Sequence, residues 1–117
     1  MIVLDDDLQN LQDVIHKIRK HKRQGDEILG FTNPDAMVEY ITTHACDVVF
    51  MKIEMQEKNG LDVAQIVKQI HPKANIIFES AFDCYMKNAF DIRCSGYLML
   101  PIENGAIENE LENLRFA

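Results

Sequence analysis

Asp47-Val48-Val49-Phe50-Met51, followed after a short polar loop by Asn59-Gly60 and then by Leu61, Ala64, Val67 and Ile70, is the stretch that decides the fold. The first run is apolar and β-branched without alternation, as a strand covered on both faces must be. The second has helical spacing, opens after a turn signal and is stopped by His71-Pro72. A strand feeding directly into a helix is one half of a parallel crossover unit, and the same alternation runs outward in both directions. Upstream, Met1-Ile2-Val3-Leu4 is a short strand stopped by Asp5-Asp6-Asp7. Leu8, Leu11, Ile15 and Ile18 then recur at helical spacing, with Lys17, Arg19, Lys20, Lys22 and Arg23 at the far end, where cations suit the helix dipole. After Gly25, Glu27-Ile28-Leu29-Gly30-Phe31 reads as a strand. Asn33-Pro34 reads as an N-cap with proline at the first helical position, opening a helix that turns Met37, Tyr40 and Ile41 inward. Downstream come a strand at Asn75-Ile76-Ile77-Phe78, a less regular helix around Tyr85, Met86 and Phe90, a strand at Gly96-Tyr97-Leu98-Met99-Leu100 before Pro101, and an acidic helix carrying Ile107, Leu111 and Leu114. Five strands alternating with five helices predict an α/β fold: a doubly wound, five-stranded parallel sheet with helices on both faces.

Composition agrees with one domain over residues 1–117. At 117 residues and 47% hydrophobic the chain can build one domain with a real core and has no room for a second domain. Nineteen acidic against twelve basic side chains leave a net charge of -7, which opposes direct contact with nucleic acid or an anionic membrane. Cys46, Cys84 and Cys94 share no C-x-x-C spacing and lie in apolar stretches, so they are expected to be reduced core thiols of a cytoplasmic protein. The first residues lack the basic front and long apolar run of a signal peptide, and no later run reaches membrane-spanning length.

In open parallel sheets chemistry collects beyond the carboxyl ends of the strands. Those ends deliver Asp5, Asp6 and Asp7 from the first strand, Lys52 and Glu54 from the third, Glu79 and Ser80 from the fourth, and Leu100 and Pro101 from the fifth. Clustered carboxylates can hold a hard cation such as Mg²⁺; the alternative is an acidic first turn stabilising the helix that follows. His16, His21, His44 and His71 have no metal-ligand spacing and read as solvated residues of helix ends and loops. Ser80 lacks the setting of a nucleophile elbow. Met37, Met51, Met55, Met86 and Met99 read as core filler, and no glycine-rich phosphate loop is present.

Taken segment by segment, the whole chain resembles the receiver domain of two-component response regulators, the CheY-like variant of the flavodoxin-like fold. The acidic pair that ends the family's first strand is matched by Asp5 and Asp6, with Asp7 at a frequently acidic next position. Residues 47–62 resemble the segment around the phosphoacceptor. Ile77-Phe78-Glu79-Ser80-Ala81-Phe82-Asp83 resembles the switch segment, with Ser80 at its Ser/Thr, and Gly96-Tyr97-Leu98-Met99-Leu100-Pro101-Ile102 matches the segment carrying the switch aromatic, Tyr97. The wording is closest to receivers that precede LytTR-type DNA-binding domains.

Two departures fall on the chemistry. Where the resemblance places the phosphate-accepting aspartate the chain has Lys52, and where it places the lysine that contacts the phosphoryl group the chain has Leu100, followed by Pro101; Gln56 stands where proline is usual. An ammonium cannot form an acyl phosphate, and leucine offers no charge to a phosphoryl oxygen. The resemblance therefore implies a non-enzymatic pseudo-receiver that signals by protein contact, controlling a DNA-binding output domain that this chain does not contain. Its partners would be that output domain, a second copy, or a histidine kinase. No cofactor is expected: Mg²⁺ belongs to the family, and Lys52 is expected to replace it by bonding both Asp5 and Asp6, unless it swings out to solvent. A metal, if bound, would sit on Asp5, Asp6 and Glu54. Two further readings stay open: a phosphoacceptor using Asp6, Asp7 or Glu54, and a sensor of metal or small ligands built on the acidic pocket. The signalling face is expected to include Lys87, Asp91, Arg93, Glu103 and Glu110, a mixed-charge set suited to a salt-sensitive contact.

Overall fold

The computed structural model describes residues 1–20 and 27–116. Lys22, Arg23, His21 and Gly25, to which the sequence reading gave helix-end and turn positions, lie outside the described residues. Within them β1 (Ile2–Leu4), α1 (Leu8–Arg19), β2 (Leu29–Phe31), α2 (Pro34–Ile41), β3 (Val48–Lys52), α3 (Gly60–Ile70), β4 (Asn75–Ser80), α4 (Met86–Asp91), β5 (Gly96–Met99) and α5 (Ala106–Glu112) alternate in the expected order. The sheet is five-stranded and parallel throughout, in the order β2-β1-β3-β4-β5. Strand order reverses between β1 and β3, so their carboxyl ends flank the crevice where an α/β sheet presents its site.

Alternation along the central strands builds two cores. One face of the sheet buries Leu4, Met51, Ile76 and Phe78 with Met37 and Ile41 of α2 and Val63, Ala64 and Val67 of α3. The other buries Val3, Phe50, Ile77 and Leu98 with Leu11, Val14 and Ile18 of α1 and Ile107 of α5. β3 and β4 are covered on both faces, which is why their sequences do not alternate. The helices begin where capping chemistry says they should. Asp7 Oδ1 accepts from the amides of Gln9 and Asn10, and Asn33 Oδ1 from those of Asp35 and Ala36. Asn59 caps α3 through the Leu61 amide.

Three expectations about individual residues need correction. Cys46 and Cys94 are buried, and burial pushes both thiols up to about 11, but Cys84 is exposed in the loop between β4 and α4. Met99 is exposed rather than core filler, because it closes a short strand at the edge of the sheet. Glu110 is not a free surface charge. It is half-buried against Gly96, where even one added carbon would meet its carboxylate, and burial raises its pKa.

Candidate functional site

The acidic triplet at the end of β1 divides by burial. Asp5 is buried, Asp6 half-buried and Asp7 exposed. Asp7 is the cap of α1, so for this residue the helix-stabilising reading holds. Asp5 Oδ1 accepts from the Asp7 amide at 2.9 Å and Oδ2 from the Asn10 side chain at 2.6 Å. Burial nonetheless holds the Asp5 carboxyl above its ordinary range, with those two bonds and the Lys52 ammonium pulling the other way. Asp6 reaches across to the β3–α3 loop, where its Oδ2 accepts from the Gln56 amide at 2.8 Å. That loop is further closed by the Gly60 amide on Ile53 O, 2.8 Å, with Gly60 pressed against the Lys52 backbone.

Lys52 ends β3, in register with Glu79 of β4. Its side chain is four-fifths covered and does not swing out to solvent, its exposure being 20%. Nζ lies 3.9 Å from Asp5 Oδ1, and among the described residues this is its only ion pair. The expected bonding to both aspartates is therefore not made: the ammonium keeps one long ion pair with Asp5, and the Asp6 carboxylate is turned to the Gln56 amide instead.

An Mg²⁺ ion would need several oxygen ligands around one point. Here both oxygens of Asp5 are hydrogen-bonded, Asp6 is tied to the loop, and an ammonium stands beside Asp5. This donor set does not fit a hard divalent cation, and among the described residues no group of three His, Cys, Asp or Glu side chains is placed to hold a metal.

Glu79, which the sequence presents as a strand end, and Glu54, which it presents as a candidate metal ligand or alternative phosphoacceptor, are each unusual. Glu79 shares the α1-side face with Ile77, is fully buried, and neither carboxyl oxygen has a hydrogen-bond partner. Burial pushes its pKa up to about 8; the Asp5 charge adds to this, while the Lys52 ammonium opposes it. A glutamate two positions after a buried isoleucine was the available signal. Glu54, in the β3–α3 loop, accepts the Ser80 hydroxyl proton on Oε1, while its buried Oε2 has no partner. Ser80, fully buried, accepts in turn from the Phe82 amide at 2.9 Å, and the Tyr97 hydroxyl donates to Phe82 O. Tyr97 is half-buried, and burial raises its pKa.

Two openings flank these residues. A cleft of about 650 Å³ is lined by Asp6, Asn33, Lys52, Glu54, Met55 and Gln56 among others. A smaller one of about 330 Å³ lies on the α1 side, between Asn10, Asp13 and Lys17 and the segment Leu100, Pro101 and Ile102. Leu100 is half-buried at this rim and Pro101 exposed.

Ser80 and Tyr97 are thus joined through the Phe82 backbone, an acidic pair stands at the end of β1, and the end of β3 faces it across the crevice. Residues 1–112 match the family model of the response regulator receiver domain. The chain belongs to that family. Among curated proteins it is similar to the sensory transduction protein LytR of Streptococcus mutans, 22% identical over 98% of this chain and 48% of that protein. It is likewise similar to LytT of Bacillus cereus, 26% identical over 98% of this chain and 46% of that one. The chain thus spans about half the length of these curated relatives. Among solved structures the response regulatory domain of mrkE from Klebsiella pneumoniae superposes with a TM-score of 0.84 at 23% identity, over 97% of this chain and 94% of that one. TrrA of Thermotoga maritima, solved with Mg²⁺ and BeF, gives 0.81 at 19%, over 95% and 94%. The five-stranded parallel sheet with five helices is the CheY-like receiver fold. Receiver domains are signalling modules that interact with kinases and output domains and typically use Mg²⁺ at the phosphorylation site. Among the described residues no helix is long and apolar enough to cross a membrane.

Proposed function

We propose that this receiver works without phosphorylation: it makes no acyl phosphate, needs no Mg²⁺, catalyses no reaction and signals by protein contact. The observation that carries the reading is Lys52, which stands at the phosphoacceptor position with its ammonium directed to Asp5. Leu100, where the family's lysine belongs, supports it by leaving no cation for a phosphoryl oxygen. The other acids are engaged elsewhere, Asp6 by the Gln56 amide, Asp7 by the start of α1 and Glu54 by Ser80. The length of the relatives and the LytR/LytT likeness favour a cytoplasmic regulator in which residues 1–117 form the input domain and a separate segment binds DNA, leaving this acidic domain to contact protein.

The contact face we assign is the one formed by α4, β5 and α5, between two copies or toward a partner. It is less purely ionic than its sequence suggested. Lys87 and Asp91 pair with each other, Glu110 is packed inward, and Phe90 and Met99 are exposed there. Incubation with labelled acetyl phosphate and Mg²⁺ tests the central claim. We expect no incorporation above that of an Asp5→Asn, Asp6→Asn variant; an alkali-labile label that this variant lacks would overturn it.

A further inference from the structure

In the phosphorylation-independent reading nothing is added to the pocket, which leaves open what holds the switch segment. We propose that Glu54 does so, acting as an internal latch on the β4–α4 loop. This rests on that reading and deepens it by naming the group that sets the state.

A serine hydroxyl has one proton to give, and Ser80 gives it to Glu54 Oε1. With the proton so directed, a lone pair of the same oxygen receives the Phe82 amide at 2.9 Å. The Phe82 carbonyl is held from the other side by the Tyr97 hydroxyl. Both backbone groups of Phe82 are thus fixed by two side chains, one of which is oriented by Glu54. Ala81, Phe82, Asp83 and Cys84 are all exposed, and besides these bonds the loop is held at its far end by the Met86 amide on Asp83 O and by Tyr85 packed on the core. A segment with so few buried contacts is ordered by its hydrogen bonds or not at all. Ser80 is the sole hydrogen-bond partner of the Glu54 carboxylate among the described residues, since Oε2 has none. The bond joins a fully buried hydroxyl to a half-buried carboxylate, so water competes for it on one side only.

Glu54 also lines the larger cleft. A contact there that draws the carboxylate off Ser80 releases the loop, and the exposed Phe82 ring moves with it. Pocket and surface are therefore coupled through a group of the chain itself. Glu54 is a positioning residue: it acts on the loop only through Ser80.

The chain supplies its own probes, the Phe82 amide and the Cys84 thiol, the exposed cysteine in a protein whose Cys46 and Cys94 are buried. Amide exchange at Phe82 and disulfide-reagent labelling at Cys84 are measured without any phosphate donor, in wild type, Glu54→Ala, Glu54→Gln and Ser80→Ala. The latch predicts that Glu54→Ala and Ser80→Ala each accelerate Phe82 exchange about tenfold or more. The double variant should be no faster than either, and Glu54→Gln, which keeps an acceptor oxygen, should recover part of the protection. Unchanged exchange in folded Glu54→Ala, or acceleration by Ser80→Ala alone, overturns it. Should Glu54→Ala not fold, Glu54→Gln decides: exchange faster than wild type but slower than Ser80→Ala supports the latch, and Gln exchange equal to wild type refutes it. Phosphate incorporation in the separate labelling experiment would remove the phosphorylation-independent reading and leave these rates as they are.

Discussion

Replacing Glu79 by glutamine should stabilise the domain at neutral pH and flatten its pH dependence. The wild-type carboxyl is fully buried, has no hydrogen-bond partner on either oxygen, and has its pKa pushed from an ordinary 4.5 up to about 8. In the unfolded chain it loses its proton near 4.5; in the folded chain it keeps the proton until about pH 8. Between those values the native state binds more protons than the unfolded one, so stability falls as pH rises. Each pH unit in the window costs about 1.36 kcal/mol, which amounts to a loss of roughly 2–3 kcal/mol between pH 5 and pH 7 and a penalty of about 3 kcal/mol at pH 7 relative to a group that cannot ionise. Glutamine keeps the shape and the buried polar atoms and removes only the ionisation; Glu79→Met removes the polar burial as well and should gain further. Asp5, also raised by burial, contributes a slope of the same sign in both proteins, so the difference between them isolates position 79. Urea denaturation followed by circular dichroism at pH 5, 6, 7 and 8 reads that difference directly. Curves that stay parallel across the range, with Glu79→Gln no more stable at pH 7 than at pH 5 relative to wild type, would refute the reasoning. Glu79 would then ionise in the folded state, the Lys52 ammonium beside it having turned from Asp5.

Other consequences follow from the same geometry. Millimolar Mg²⁺ should leave the melting temperature unchanged, whereas the Lys52→Asp, Leu100→Lys double variant should show a saturable rise with Mg²⁺ and accept phosphate from acetyl phosphate; no Mg²⁺ response in the folded double variant would place the obstacle elsewhere in the pocket. Gly60→Ala should cost about 2–3 kcal/mol in denaturant melts, because the new carbon would lie 2.3 Å from Lys52 O and 2.9 Å from Ile53 Cα, both backbone atoms that cannot turn aside. Arg93, just past α4, has φ 64; Arg93→Gly should be stabilising by about 0.5–1 kcal/mol and Arg93→Val destabilising by more than that, an ordering that a melt series checks.

What the sequence disclosed and what it withheld separate along physical lines. Every strand and helix of the sheet was legible because each is decided by short-range pattern: the unbroken apolar runs of β3 and β4, the Asn33-Pro34 and Asn59 caps, and the His71-Pro72 stop. Which residues end each parallel strand was legible too, and with it which side chains border the crevice between β1 and β3. The partner that each side chain chooses was not. Lys52 was expected to bridge Asp5 and Asp6, but the choice is made by the Gln56 amide, which a loop closing on Gly60 presents to Asp6. Nor did the sequence separate Cys84 from Cys94: the first lies exposed in the β4–α4 loop and the second is buried just before β5.

Glu79 and Glu54 show the same division more sharply. Two residues on, Ile77-Phe78-Glu79 puts a carboxyl on the buried face, and that conflict with the local pattern could have been seen. Local and global preference disagree there, as they tend to at functional or strained positions. The Glu54–Ser80 bond gave no such sign, because it joins a loop to a strand end through the fold and depends on one rotamer of each. The two glutamates also bear on Lys52 in opposite ways. Glu79 sits in register with it and carries a raised pKa in spite of it, while Glu54 turns its bonded oxygen to Ser80. With Asp5 its only ion-pair partner among the described residues, the cation at the phosphoacceptor position is not what holds Ser80. If Ser80 is restrained by Glu54 as proposed, restoring aspartate at position 52 alone would add a second acid near Ser80 without removing the first. Lys52→Asp with Leu100→Lys in a Glu54→Ala background is therefore the variant in which phosphate-dependent movement of the loop should return.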